Sequence, residues 1–219
     1  MQIATGTSLA VMVFTTIATT VSHQLKKSIH WRTVRYLAPG VLVGGFIGRQ
    51  FAHEISSLSL GVIFIIGIYL IAFDILRQTI KEGELNNLWG FSHYWLMPVG
   101  VIISGFSSLL GLGGAILIIP LLLKRRHPML QAVGTASVTS LIIAVVGTIS
   151  TIYSAWDVSL SNLHFGYIYL PALWIIALGS ICGAPIGVKL AHILPARRLK
   201  SFFAIFLMVV STQMLLQLI

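Results

Sequence analysis

One short segment of this sequence has the residue types that can hold an anion without a cationic side chain. Gly111-Leu112-Gly113-Gly114 interrupts an apolar stretch that continues to Pro120. A helix that begins at such a break points its unsatisfied backbone N–H groups, which carry about half a positive charge, toward a ligand. Close helix packing is the competing explanation, since small residues also let backbones approach each other in a membrane. We interpret the segment as part of a binding site.

Two further segments combine glycine with hydroxyl side chains at equivalent places. Gly6-Thr7-Ser8, and Gly134-Thr135 with Ser137, lie near the beginnings of two apolar stretches. Their hydroxyls can donate hydrogen bonds to an oxyanion, although hydroxyls in membrane helices also bond to a carbonyl of the preceding turn. We predict a single anion site near mid-membrane, lined by Gly111, Gly113, Gly114, Thr135, Ser137, Gly6, Thr7 and Ser8.

The polar residues give little support for proton coupling, catalysis or metal binding. Asp74 is the one acid within an apolar stretch, and intramembrane acids are functional candidates. Arg77 follows one helical turn later, so proton coupling and an ion-paired or capping role both stay open for Asp74. No acid pair supports catalysis, and the seven histidines lack a metal-ligand spacing backed by carboxylates. We therefore expect no enzymatic activity, no metal site and no cofactor.

The composition indicates a membrane protein. Hydrophobic residues make up 57% of the 219 residues, charged residues 9%, and the mean hydropathy is +0.95. A soluble domain carries about 25% charged residues. Uncharged stretches of bilayer-spanning length recur, and lipid leaves the backbone no choice but helices or a closed barrel. The sequence predicts an all-α integral membrane protein with about seven to eight transmembrane or re-entrant helices.

An internal repeat divides the chain. Ala4-Thr5-Gly6-Thr7 recurs as Ala132-Val133-Gly134-Thr135, and Phe51-Ala52-His53 recurs as Leu190-Ala191-His192. Duplicated hydrophobic halves are common in secondary transporters, which bind substrate where the halves meet. We assign a first copy to residues 1–80, a connecting loop to 81–93, and a second copy to 94–219 with a broken helix at 111–114.

The charges predict how the chain is threaded. If residues 85–123 enter the membrane and return, one side collects all but one of the 14 Lys and Arg residues, and only Arg49 faces the other. The positive-inside rule favours this threading and makes the basic side cytoplasmic. Matching loops of the two copies then lie on opposite sides, which predicts inverted repeats. The net charge of +9 therefore reflects orientation signals beside the spans, and we expect no nucleic-acid partner.

These segments together resemble the TauE/SafE family of bacterial membrane proteins, the sulfite exporter family. The resemblance covers nearly the whole chain, and its motifs are Gly111-Leu112-Gly113-Gly114, Pro120-Leu121-Leu122, Ala132-Val133-Gly134-Thr135-Ala136-Ser137, Gly166-Tyr167-Ile168-Tyr169-Leu170-Pro171-Ala172-Leu173, Ala184-Pro185-Ile186-Gly187 and Leu190-Ala191-His192. Two features depart from the family pattern. Members begin with a Gly-rich first helix, which is lacking before the Gly-Thr-Ser helix here, and Ala136 stands where Ser is more usual.

The resemblance implies a multi-pass anion transporter of the bacterial cytoplasmic (inner) membrane, with sulfite, sulfonates or related oxyanions as cargo. The expected partners are accordingly a small anionic substrate and the lipid bilayer. Our leading hypothesis is a secondary transporter that exports a small anion by rocking one copy against the other. The alternative, motivated by the shortened front, is a truncated, non-transporting membrane protein that acts as an assembly or interaction partner.

Overall fold

The structure, a computed structural model, confirms an all-α membrane architecture. It describes residues 2–51, 65–70, 72, 73, 75, 93–110, 113–125, 127–154, 164, 165 and 167–218. Asp74 and Gly111, both predicted site residues, lie outside this set. The helices are α1 (Gln2–Leu25), α2 (Trp31–Phe51), α3 (Leu96–Leu110), α4 (Ala115–Lys124), α5 (Met129–Ser154), α6 (Leu170–Ile193) and α7 (Ala196–Leu218).

A few short elements complete the described chain. A single 3-10 turn, His93–Trp95, precedes α3. The strands β1 (His164–Phe165) and β2 (Ile168–Tyr169) pair antiparallel just before α6. Residues 65–70, 72, 73 and 75 are helical. Within the described part, three helical stretches are long and apolar enough to cross a membrane: Gly6–Leu25, Met129–Tyr153 and Leu170–Ile193.

Helices α1 and α5 form an antiparallel pair at the centre of the molecule. Near the start of α1, a β-carbon on Gly6 would lie 2.8 Å from Cγ2 of Thr151, near the end of α5. Near the start of α5, a β-carbon on Gly134 would lie 3.2 Å from Nδ1 of His23, near the end of α1. Glycine therefore allows close approach at both ends of the pair.

Helices α2 and α3 run parallel along a stripe of glycines. A β-carbon on Gly40, Gly44 or Gly48 would collide with the carbonyl oxygen of Met97, Val101 or Gly105, respectively. Two α3 hydroxyls exploit the short separation, because Ser104 donates to the carbonyl of Val41 at 2.8 Å and Ser108 to that of Gly45 at 2.9 Å. This contact fixes the position of α3 against the first copy.

The same stripe recurs in α6 without a covering helix. Gly179, Gly183 and Gly187 follow Gly40, Gly44 and Gly48 at the 139-residue shift of the repeat. A β-carbon on any of these three would meet no described atom within 4 Å. Large apolar side chains around them are also exposed, including Ile175 and Leu178. This side of α6 therefore suits contact with lipid.

Of the stretch predicted to enter the membrane and return, the structure describes residues 93–110 and 113–123. Helix α3 runs alongside α2, and α4 then leads back to the beginning of α5. The break between them includes Gly113 and Gly114, whose φ values are +65° and +75°. Residues other than glycine rarely adopt this left-handed backbone conformation, which explains why glycines occupy the break. The apolar core lies where α2, α4, α5 and α7 meet, around Leu37, Ile118, Leu122, Ile143 and Leu207.

The threading gathers positive charge at one end of the bundle. We call this the basic end: it contains the end of α1, the beginning of α2, the α4–α5 connection and the α6–α7 connection. Every Lys and Arg side chain that the structure describes lies there: Lys26, Lys27, Arg32, Arg35, Lys124, Arg125, Lys189, Arg197, Arg198 and Lys200. We call the opposite end, with the start of α1, the end of α5 and the β-hairpin, the far end. Positive residues accumulate in cytoplasmic loops, so the basic end is expected to be cytoplasmic.

The α2 stripe yields a stability prediction with a control at the equivalent position. Gly44→Ala places a methyl group against the Val101 carbonyl, and overpacking of this kind costs about 1–3 kcal/mol. Gly183→Ala, in open space, should be neutral or stabilise its helix by up to about 1 kcal/mol. Thermal unfolding of the purified protein in detergent measures both. Equal midpoints for the two variants would contradict the packing described for α2 and α3.

The orientation can be checked by labelling in intact cells. In a Cys182→Ser background, Tyr153→Cys at the far end should react with a membrane-impermeant maleimide added outside. Lys27→Cys and Arg125→Cys, both at the basic end, should react only after the cells are permeabilised. Outside labelling of position 27 or 125 would show that the orientation is reversed.

Candidate functional site

The structure does not gather the eight predicted site residues into one cluster. Gly6 and Thr7 lie at the far end, whereas Gly134 and Thr135 lie at the basic end. Helix α5 has 17 residues from Gly134 to Thr151, the neighbour of Gly6, which corresponds to about 25 Å at 1.5 Å per residue. The prediction of a single shared site is therefore corrected, because antiparallel packing of α1 and α5 separates the two Gly-Thr segments.

The two threonine hydroxyls instead join the two copies. The Thr7 hydroxyl accepts a hydrogen bond of 3.0 Å from the backbone N–H of Tyr169, which precedes α6. The Thr135 hydroxyl accepts one of 3.0 Å from the backbone N–H of His30, which precedes α2. The donors are related by the 139-residue shift and the acceptors by the 128-residue shift of the repeat. Each copy thus supplies the threonine that binds the other copy's helix start.

The glycine before each threonine takes part in the same exchange. A β-carbon on Gly6 would lie 2.9 Å from the carbonyl oxygen of Tyr167, and one on Gly134 would lie 2.6 Å from that of Ser28. The neighbouring Ser137 donates to the carbonyl of Gly134 at 2.8 Å within its own helix, and Ser8 is exposed. The Gly-Thr segments are therefore engaged in helix contacts in this arrangement.

The glycine break lies between the two central helices at about half their length. A β-carbon on Gly113 would collide with the end of the Met12 side chain of α1. A β-carbon on Gly114 would collide with Cδ1 of Ile143, in the middle of α5, and would lie 3.5 Å from the Ser107 hydroxyl. The predicted depth of the break, near mid-membrane, agrees with these contacts.

Helix α4 begins at this depth, with its first backbone N–H groups outside the intrahelical bonding pattern. The carbonyl of Gly114 accepts from Leu117 and Ile118 at 3.1 and 3.0 Å, so the first donors, on Ala115 and Ile116, have no partner within the helix. No side chain caps this helix start within the described part of the chain. Such N–H groups favour a negatively charged ligand.

Ser140 is a residue that the sequence reasoning missed. It lies on α5 one turn before Ile143, which contacts Gly114, and its side chain is 2% exposed. Among the described residues its hydroxyl has no hydrogen-bond partner. An unpartnered buried polar group costs about 1–3 kcal/mol, so a ligand that bonds to it would recover that energy. The signal in the sequence was the series of hydroxyl residues from Ser137 to Ser140. Ser140 stands at the position that Met12 occupies in the first copy.

The described residues place no charged side chain at the glycine break. The described part of the chain contains no Asp or Glu, and no group of His, Cys or acidic residues in it could hold a metal ion. All described Lys and Arg side chains lie at the basic end. A ligand at the glycine break would thus be bound by backbone N–H groups and hydroxyls, which are donors that suit a small oxyanion.

The long apolar helices, with a helix break packed between two of them, indicate a helical, multi-pass membrane protein. The chain belongs to the sulfite exporter TauE/SafE family, whose family model matches residues 1–214. This assignment confirms the resemblance that the sequence motifs indicated.

Relatives from distant organisms agree with the assignment. A probable membrane transporter protein of Haemophilus influenzae is 31% identical, over 99% of this chain and 82% of its own length. One from Methanocaldococcus jannaschii is 27% identical, over 98% of this chain and 79% of its own. The Bacillus subtilis protein YdhB, with the same description, is 28% identical over 93% of this chain and 80% of its own. No solved structure matches the chain.

The exchanged threonines generate a stability prediction. Thr135→Val leaves the His30 N–H without its acceptor, and an unsatisfied donor of this kind costs about 1–3 kcal/mol. Thr135→Ser keeps the hydroxyl and should retain most of the stability. Thr148→Val is the matched control, because the Thr148 hydroxyl bonds only to a carbonyl of its own helix, that of Ala144 at 2.7 Å. Equal unfolding midpoints for the valine variants at 135 and 148 would show that the exchanged bond is unimportant.

Proposed function

We propose that this protein is a secondary transporter that exports a small anion across the cytoplasmic membrane of a bacterium. The cargo that its site suits best is sulfite, an organosulfonate or a related sulfur oxyanion. The family supports the sulfur oxyanion, and the printed descriptions of the relatives support transport. The proposal rests mainly on the left-handed break at Gly113 and Gly114, after which helix α4 begins without a described side-chain cap.

The donor set matches the chemistry of an oxyanion. A sulfite or sulfonate group presents several acceptor oxygens, and donors to a charged acceptor form bonds of about 1.5–3 kcal/mol each. We place the anion at the break, with the N–H groups that begin α4 on one side and the Ser140 hydroxyl on the other. Because Gly113 and Gly114 have no side chains, the anion reaches their backbone once the Met12 and Ile143 side chains beside them move away.

The lack of a described cationic side chain at the break suits turnover. A transported ion must bind well enough to enter a site and weakly enough to leave it. Neutral donors replace the water molecules around the anion. A buried positive charge would hold the anion far more strongly. Arginines and lysines at the basic end can still attract anions to the cytoplasmic opening.

The contacts between the copies support alternating access. Helices α1 and α5 belong to different copies and lie antiparallel, and their Gly-Thr contacts exchange at both ends. An inverted repeat, predicted from the loop charges, would produce such an exchange. We infer that rocking of one copy against the other opens the glycine break first to the basic end and then to the far end.

Ser140 provides the sharpest test. In proteoliposomes that contain the full chain, labelled sulfite or a sulfonate should flow faster than in empty liposomes. Ser140→Ala should weaken apparent affinity about tenfold to hundredfold, because a hydrogen bond to a charged ligand is lost. Its thermal stability should not fall, since the Ser140 hydroxyl has no partner among the described residues.

Thr148→Val serves as the transport control, because the Thr148 hydroxyl is bonded within α5. It should leave affinity unchanged. Flux equal to that of empty liposomes for every sulfur oxyanion in the panel would overturn the proposed function. Equal affinities for wild type and the Ser140 variant would place the anion elsewhere.

A further inference from the structure

Two histidines from different copies meet at the basic end. His23 lies in the last turn of α1 and is 2% exposed, and His192 lies in the last turn of α6. Their ring centroids are 5.6 Å apart, with planes inclined at 43°. Because α1 belongs to the first copy and α6 to the second, this contact spans the interface that the proposed rocking motion would open.

The hydrogen bonds of His192 define its protonated nitrogen. Nδ1 lies 2.8 Å from the carbonyl oxygen of Val188. A carbonyl only accepts, so Nδ1 carries the hydrogen and donates it. In the neutral ring, Nε2 then holds a lone pair, and this atom is buried without a hydrogen-bond partner in the described part of the chain.

The Nδ1 atom of His23 also has a hydrogen-bond partner, in this case a serine hydroxyl. Its Nδ1 lies 2.8 Å from the hydroxyl oxygen of Ser28. That hydroxyl has a single hydrogen, which it donates to the carbonyl of His23 at 3.1 Å. With the Ser28 hydrogen on this carbonyl, Nδ1 of His23 donates to Ser28, and Nε2 of the neutral ring again holds a lone pair.

In these tautomers, each neutral ring offers its Nε2 lone pair as an acceptor, and neither Nε2 offers a donor to the other ring. One proton added to either Nε2 creates an N–H group that the other ring can accept. A ring-to-ring hydrogen bond of about 3 Å places the centroids about 5 Å apart, and the observed 5.6 Å needs little adjustment. A second proton would place two cations side by side, so the pair suits a single proton.

The surrounding charges do not offer this proton another acceptor. The segment after α1 carries Lys26, Lys27 and His30, and α6 carries Lys189 near its end. Helix α5, whose Gly134 touches the His23 ring, has no charged residue, and α7 begins with Arg197 and Arg198. No acidic residue lies on these described elements. The four lysines and arginines nearest in sequence, Lys26, Lys27, Lys189 and Arg197, are exposed.

We propose that His23 and His192 form the binding site for a proton that is transported together with the anion. This inference rests on the proposed function, since it assigns the coupling ion to that transporter. A proton from the cytoplasmic side binds Nε2 of one ring, is shared with the other, and holds α1 and α6 together at the basic end. Its departure removes the hydrogen bond between the rings, which favours separation of the helices and opening toward the cytoplasm.

The second histidine pair provides a contrast. His30 and His127 have ring centroids 4.8 Å apart. However, Nδ1 of His30 already accepts from the backbone N–H of Thr33 at 3.3 Å, so this nitrogen caps the start of α2. His30→Asn supplies an equivalent capping acceptor without a titrating ring, which makes it the matched control.

Nitrogen NMR on the histidine-labelled full chain in lipid nanodiscs tests the pair directly. As pH is lowered, the Nε2 signals of His23 and His192 should shift together in one step, with one proton taken up by the pair. In His192→Gln, the His23 signal should lose this step, whereas His30→Asn should leave it unchanged. Independent titration of the two rings, or a His23 signal that is the same in wild type and His192→Gln, would overturn the proposal.

Proteoliposomes with a trapped pH indicator test the coupling. Wild type should move protons together with sulfite, and a pH gradient should drive sulfite against its own gradient. His192→Gln should lose both effects but still exchange labelled for unlabelled sulfite, and His30→Asn should behave as wild type. Proton-coupled flux in His192→Gln equal to wild type would overturn the proton site alone. A wild type without any flux would overturn the proposed function, and the NMR titration would still decide whether the pair shares a proton.

Discussion

The close antiparallel contact of α1 and α5 is the constraint on which the other features depend. Glycines at both ends let the two backbones approach, and the adjacent threonines each bind the N–H group that precedes a helix of the opposite copy. These bonds determine where α2 and α6 begin. They also set the depth of the glycine break, because Gly113 and Gly114 touch the middle of α1 and of α5. In a membrane the hydrophobic effect does not drive helices together, because lipid is as apolar as the helix surface. Close packing at small residues therefore contributes much of the association energy.

Much of this architecture was readable from the sequence, because its causes are local or compositional. Apolar length specifies spanning helices, the loop charges specify the threading, and Gly111 to Gly114 specify the break. The grouping of the site residues was not readable. Gly6-Thr7 and Gly134-Thr135 are alike in sequence, but whether two like segments meet or lie at opposite ends depends on the relative direction of their helices. That direction follows from contacts distant in sequence, such as Gly6 with Thr151.

The residues missed by sequence reasoning share one property, which is an unmet hydrogen-bonding need. Ser140 looked like an ordinary hydroxyl in a membrane helix, and His192 like one of several histidines near span ends. Only the three-dimensional arrangement shows that the Ser140 hydroxyl and Nε2 of His192 are buried without partners among the described residues. Both are placed where a transport cycle would need exchangeable contacts, one beside the mid-depth break and the other at the interface of the copies. Our two proposals assign a ligand to each of these atoms, an anion to Ser140 and a proton to His192.

The open glycine stripe of α6 gives the two copies unequal surroundings. In the first copy, the backbone at Gly44 lies against α3, whereas in the second copy the backbone at Gly183 faces outward along a shallow trough. Acyl chains are thick and mobile, so they fill such a trough poorly compared with a neighbouring helix that has an equally bare face. The bilayer is therefore part of the packing of the second copy. Changes in lipid thickness and chain order therefore reach the second copy through α6, the helix that also carries His192.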